Sequence, residues 1–488
     1  MIKKIIYAVH RILGTLLSVL FLVWFLSGFV MIYHTFPKVQ IQDKHRTMSG
    51  LAIKDILPDT ILSFIPEEEM ITRLELQNQI SQPVFKVRTN KQTYKISAIN
   101  PAVEVRPISF EEIRMYAQQW CNAEIEKTDT LYKLEQWIPF SRYREDMPIY
   151  KFYFSDPLKH QLYVSSVTGE AIQFTNKDSR FWAWLGAIPH WVYFTGLRQR
   201  AKLWADVIIW LSGIGCIMCL SGTILGIRSY YRSFKRKKQF KSPYKKTAYK
   251  WHHITGFIFG VFVFTFAFSG MMSLAPVPQW ISKQHNPAIQ QQLFQKGQTL
   301  PLEQYWTSFH TLQQKYPSGI KSIEWTSFGD IPLYKVIIED SMLILNASDT
   351  DVQPLFLTEQ NIDDYLSRIH TENISILLTN EYDNYYISRK TKLPLPVYKV
   401  YANDPDQSSY YIDPQTGNIR YFNTNIRIRK WAYQGLHSFS FKWLVDRPLL
   451  WNMVMWMTMI AGTIVSITGV WLGIKYIKKL VIHLIKKK

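Results

Sequence analysis

Three observations predict the fold class: four long apolar runs, a net charge confined to three short segments, and an internal repeat. Together they specify a membrane protein with four transmembrane α-helices in two pseudo-symmetric halves, carrying two α+β extracytoplasmic domains. The runs are residues 12–33, 203–227, 254–275 and 449–474. Each exceeds the ~20 residues that cross ~30 Å of hydrocarbon. Only Asp206 interrupts the second. The first run is longer than the 7–15-residue core of a signal peptide, and no A-x-A site follows it, so it reads as an uncleaved anchor. At 15% aromatic residues, the composition suits a protein with extensive membrane interface. A mean hydropathy of −0.10 is too polar for a transporter of many spans, so most of the chain lies outside the bilayer.

The chain of 488 residues carries a formal charge of +20. Residues 1–33, 228–250 and 475–488 hold 19 Lys and Arg and no Asp or Glu, which leaves 38 basic and 37 acidic residues elsewhere. The two large segments are therefore near neutral, which excludes nucleic acid as a partner. Cations flanking spans mark the cytoplasmic side. The predicted order is an N-terminal anchor with the first span (1–33), a first outer domain (34–202), the second span (203–227), a basic cytoplasmic loop (228–251), the third span (252–275), a second outer domain (276–448), the fourth span (449–474) and a basic tail (475–488). Both termini are expected in the cytoplasm and both large segments in the periplasm.

The outer segments show strand alternation at 85–88 and 94–97, and strand–turn–strand patterns at 161–171 and 410–419. Residues 109–122 read as a helix. No Gly-rich phosphate loop is present. Three cysteines exclude a disulfide framework; Cys121 reads as a lone thiol, and Cys216 and Cys219, three apart in the second span, as small apolar residues on one helix face, with a redox pair as the alternative.

The repeat selects residues. His10, Gly14, Ser27 and Gly28 recur as His252, Gly256, Ser269 and Gly270 at an offset of 242. Trp184, His190, Trp204, Gly222 and Gly226 recur as Trp431, His437, Trp451, Gly469 and Gly473 at an offset of 247. Of twelve histidines, four lie at repeated positions. His10 and His252 begin the first and third spans at the cytoplasmic face. His190 and His437 precede the second and fourth at the outer face, with His437 expected on a short helix before Pro448. Two imidazoles per face suit bis-histidine haem b, whose iron takes two axial nitrogens about 4 Å apart. Two such haems, roughly 27 Å of helix apart, would form an electron wire. Trp431, Phe439, Phe441 and Trp443 are expected to wall the haem at His437. His34, whose repeat position is Pro276, and His253, beside His252, are alternates. Zinc suits these histidines less, because no Cys or carboxylate clusters with them in sequence.

At these residues the chain resembles the PepSY-associated transmembrane helix family. The resemblance rests on His10-Arg-Ile-Leu-Gly14 with Ser27-Gly28, on His252-His-Ile-Thr-Gly256 with Ser269-Gly270, and on Leu436-His437. The Tyr411-to-Gly417 hairpin looks like the end of a PepSY domain, and Val164 to Gly169 like a weaker copy. Before the second span, Pro189-His190 departs from the Leu-His pattern. The resemblance implies PepSY-like outer domains and an inner-membrane protein of iron acquisition, similar to haem-containing ferric-siderophore reductases. Electrons would pass from quinol or a cytoplasmic donor, through haem b held by His10, His252, His190 and His437, to a periplasmic ferric chelate. The alternative is a non-enzymatic membrane-anchored PepSY protein that inhibits or chaperones a peptidase.

Overall fold

The computed structural model describes residues 2–51, 61–80, 82–289, 293, 300–317 and 319–486. Lys487 and Lys488, the last cations of the basic tail, lie outside the described residues. Four helices are long and apolar enough to span a bilayer: Ile2–Met31, Ala201–Lys237, Thr247–Met272 and Pro448–Ile485. All outrun the apolar stretches that predict them. Lys and Arg are good helix formers and carry their charge outward on flexible stems, so the helices continue into the basic segments. The second stops at Lys238, which adopts a left-handed conformation (φ 53°), shortly before Pro243. Pro448 opens the fourth, where its missing N–H costs nothing.

The first span packs between the second and fourth, and the third between the same two, so the first and third lie diagonally across the bundle. The interior joins Leu17, Phe21 and Phe25 to Cys216, Cys219, Phe266, Met455 and Met459. Cys216 and Cys219 are buried free thiols within this interior. Apolar side chains also cover the outside, including Leu16, Trp210, Val261 and Met457. That inversion of a soluble protein fits a lipid surround. In lipid, hydrophobic drive between helices is weak, and close packing must hold them. Gly215 and Gly462 supply it: a Cβ there would lie 2.6 Å from Phe21 and 2.1 Å from Phe25.

The outer segments are built from strands in chain order. The first contains β1 (Ile71–Gln79), β2 (Gln82–Thr89), β3 (Thr93–Ser97), β4 (Ile125–Leu131), β5 (Ile149–Phe154), β6 (Gln161–Ser165) and β7 (Ala171–Thr175). The second contains β8 (Ile320–Phe328), β9 (Ile331–Ile338), β10 (Ser341–Asn346), β11 (Gln353–Pro354), β12 (Ile374–Thr379), β13 (Val397–Ala402), β14 (Ser409–Ile412) and β15 (Ile419–Phe422). β4–β7 and β12–β15 form two four-stranded meanders. Each is backed by a helix with a reciprocal N-cap: Phe110–Gln118 behind Ser109 and Glu112, and Glu359–Leu366 behind Thr358 and Asn361. Ile113 and Ala117 pack on Phe152 and Leu162. Ile362 and Leu366 pack on Val400 and Tyr410.

The third sheet crosses the segments. Its order is β11-β10-β9-β8-β1-β2-β3, and β1 pairs antiparallel with β8 through Leu74 opposite Trp325 and Leu76 opposite Ile323. All four of these side chains are at most 3% exposed. The first and second outer segments thus share one sheet and one core.

Candidate functional site

The repeated histidines meet in two pairs. His10 of the first span faces His252 of the third, with ring centroids 6.2 Å apart. His190, on the short helix Ala187–Trp191, faces His437, on Leu436–Ser438, at 6.0 Å. Each ring is anchored through Nδ1 to a neighbouring span. His10 Nδ1 donates to the Met218 carbonyl (3.0 Å), beside the Ser221 hydroxyl, which donates to the same carbonyl (2.8 Å). His252 Nδ1 meets Thr468 Oγ1 (2.9 Å), whose proton goes to the Val465 carbonyl. His190 Nδ1 lies 3.2 Å from both the Trp24 carbonyl and Ser27 Oγ. His437 Nδ1 meets Ser269 Oγ at 2.9 Å, and Ser269 donates to the Phe266 carbonyl.

The tautomer follows from these partners. A carbonyl only accepts, and each of these hydroxyls has its proton committed to a carbonyl three residues back. All four Nδ1 atoms therefore carry hydrogen, and all four Nε2 atoms keep a free lone pair. Among the described residues, no hydrogen bond engages any of these four Nε2 atoms. One nitrogen oriented by a backbone or hydroxyl partner while the other stays free is the arrangement of a metal-ligating imidazole.

The residues fit haem. Iron–nitrogen bonds of about 2 Å put axial nitrogens about 4 Å apart, and ring centroids about 6 Å apart. Both pairs have that centroid spacing. Gly222 leaves room for His10, since a Cβ there would lie 2.5 Å from the ring; Gly469 approaches His252 at 3.7 Å. Nothing lies within 4 Å of a Cβ built on Gly14 or Gly256 beside the basic-end pair. A tetrahedral zinc site would need further ligands. Among the described residues, the His/Cys/Asp/Glu group compact enough for a metal ion is Cys121, Asp156 and His160, and it includes none of the four repeated histidines.

The alternates fall elsewhere. His34 stacks on Trp182 at 4.5 Å and 3°. His253 stacks on Tyr230 at 4.4 Å, and its Nδ1 meets Ser242. The structure brings neither into a pair. The aromatic wall at His437 also differs from expectation. Phe266 and Tyr433 flank the ring, each at 5.5 Å, and Phe439 packs behind Phe266. Trp431 stacks on Phe441 instead, and Trp443 is exposed. Nearness in sequence to His437 does not fix which way a side chain faces around a tight bend.

The partners of the rings went unrecognised in the sequence. Ser27 and Ser269 stand out there only as repeat identities. Ser221 and Thr468 share the offset of 247 but not the residue type; matching hydroxyls rather than identities would have found them.

A family model for the PepSY-associated TM region matches residues 7–372. The chain belongs to this family. The match includes His10, His190 and His252, whereas His437 and the fourth span lie beyond it. No curated protein matches the chain. In this PepSY-associated transmembrane protein a polar cluster also recurs above the bundle. Glu135 binds Lys151 (2.8 Å) and the Tyr163 hydroxyl. Asp383 binds Lys399 and the Tyr411 hydroxyl, both at 2.6 Å, at a common offset of 248. Burial would raise the Asp383 carboxyl, but hydrogen bonds from Lys399 and Tyr411 hold it below the usual carboxylate range.

Lys430 begins the π-helical turn Lys430–Gly435 that leads to His437. It is 8% exposed, and its ammonium lacks a hydrogen-bond partner among the described residues. It lies over the rings of Tyr385 and Trp431 at 5.2 and 5.3 Å. Burial pushes it down from 10.5 to about 8, with Asp383 acting the other way. The folded state thus disfavours the charged form. The cost is full below about pH 8 and fades as pH rises toward 10.5. Lys430→Met should raise Tm most below pH 8 and flatten its pH dependence above; an unchanged Tm–pH curve would refute this.

Proposed function

We propose that this PepSY-associated protein is a haem b oxidoreductase of the cell inner membrane that carries electrons outward to a periplasmic ferric chelate. The observation that carries the reading is the set of four imidazoles in two facing pairs, each with Nδ1 engaged and Nε2 free. His10 and His252 would hold one haem at the cytoplasmic end, and His190 and His437 a second at the outer end. Bound there, the two haems would supply one-electron carriers in series. The chain's own part is to fix the ring tautomers through Ser27, Ser221, Ser269 and Thr468, and to keep water out. Phe21, Phe25 and Phe266 fill the bundle between the tiers. In the overall balance one quinol becomes quinone and releases two protons, while two ferric ions become ferrous. Ferrous ion binds hard oxygen chelators more weakly, so reduction would free the iron.

The 19 Lys and Arg of the three short segments that flank the spans, with no Asp or Glu among them, support an orientation with both termini in the cytoplasm. Contacts recurring at offsets of 242, 247 and 248 support two halves related by a two-fold near the membrane normal, each with a PepSY-like meander and helix. A visible spectrum of the purified protein tests the function. A Soret band, sharp α and β bands on dithionite, and about two haems per chain are expected. A colourless, folded protein would sink the reading and leave the membrane-anchored peptidase-binding alternative.

A further inference from the structure

A cavity of about 370 Å³ opens at the sheet end of the bundle, between the loop before β13 and the start of the fourth span. That volume suits a small molecule. Arg389, Lys390 and Lys392 line it, with Tyr382, Trp451 and Asn452. Among the described residues these three cations form no ion pair. The acidic group in the lining, Asp446, is already held by Lys442 at 2.6 Å. The cavity is therefore a concentration of uncompensated positive charge. The fourth span adds the positive end of its backbone dipole, since Pro448 also lines the cavity.

The charge is positioned rather than loose. The Arg389 guanidinium lies 4.2 Å over the Trp451 ring and donates to the Ile32 carbonyl at 3.5 Å, which ties it to the ends of two spans. Trp451 is 3% exposed, and its Nε1–H donates to the carbonyl of Ser438, the residue after His437. One aromatic ring of the lining thus reaches the backbone next to His437. Resting on the proposed function, we infer that this cavity is the substrate site and that it selects polyanionic ferric chelates with carboxylate or catecholate oxygens over neutral hydroxamate chelates. A phospholipid headgroup would offer the same anionic oxygens at this depth, so the test must separate the two.

Full-length protein in phosphatidylcholine nanodiscs is titrated calorimetrically with gallium(III) citrate, a redox-inert mimic, while haem content is measured on the same samples. Wild type should bind, with affinity falling as salt rises. The K390E/K392E double variant replaces two exposed side chains, so it should keep wild-type haem content yet bind about tenfold or more weakly. The gallium complex of a neutral trihydroxamate should bind wild type as weakly as citrate binds the variant. Equal citrate binding by wild type and variant would overturn the inference. So would loss of citrate binding on adding phosphatidylglycerol, which would assign the site to lipid. Charge-dependent citrate binding to a protein without haem would uphold the anion site while removing the oxidoreductase reading.

Discussion

His437→Ala should lose about one of two haem equivalents while the protein still folds. The ring is held through Nδ1 by Ser269 and flanked by Phe266 and Tyr433. Removing it strands no polar group, because the Ser269 hydroxyl keeps its bond to the Phe266 carbonyl at 3.1 Å. Destabilisation should therefore be limited to lost packing, on the order of 1–3 kcal/mol. The basic-end pair draws its partners from Met218 and Thr468, far along the spans, so its haem should remain and stay reducible by dithionite. Ferric chelate reduction should fall to background. Ser269→Ala separates ligation from orientation: the imidazole stays, but its Nδ1 partner goes. Haem affinity at that site should drop about 10–100-fold in titrations of the apoprotein. Two haems and normal ferric reduction in His437→Ala would remove this residue from the mechanism.

Gly222→Val should be as damaging from the other side of the bilayer. A Cβ on Gly222 would sit 2.5 Å from His10 Cε1 and 2.9 Å from Nδ1. The ring cannot retreat without giving up the Met218 carbonyl and leaving the face of His252. The expected result is loss of the basic-end haem and of electron transfer from the cytoplasmic side, with the outer haem still reduced by dithionite. Gly196→Ala provides a control, since nothing lies within 4 Å of its Cβ position. Wild-type haem content in Gly222→Val would show that the bundle can open around His10, and would discount the close fit.

What the sequence reveals and conceals divides along physical lines. Spans are legible because ~20 apolar residues flanked by cations have few other uses. The four histidines are legible because a repeat filters them from twelve. Their hydroxyl partners are not, because Ser221 and Thr468 differ in type and meet their rings only when helices pack. His34 looks like a ligand from its place at a span end, yet the turn after Met31 lays it flat on Trp182. The Glu135 and Asp383 clusters escape notice because short insertions move the offset to 248 within the outer segments. The β1–β8 pairing carries no local signal at all. Alternation says that Leu74, Leu76, Ile323 and Trp325 want burial; it does not say against which strand.

That pairing also bears on how the protein is made. Ribosomes add about 5–20 residues per second, so β8 emerges on the order of tens of seconds after β1. Throughout that interval β1–β3 present an unpaired edge beside Leu74 and Leu76, two side chains that are 0% exposed in the finished fold. An open apolar edge invites pairing with other nascent chains. Biogenesis therefore has a vulnerable stage built into its order: the first segment must be shielded until the third span has inserted and the second segment has been made to close the sheet.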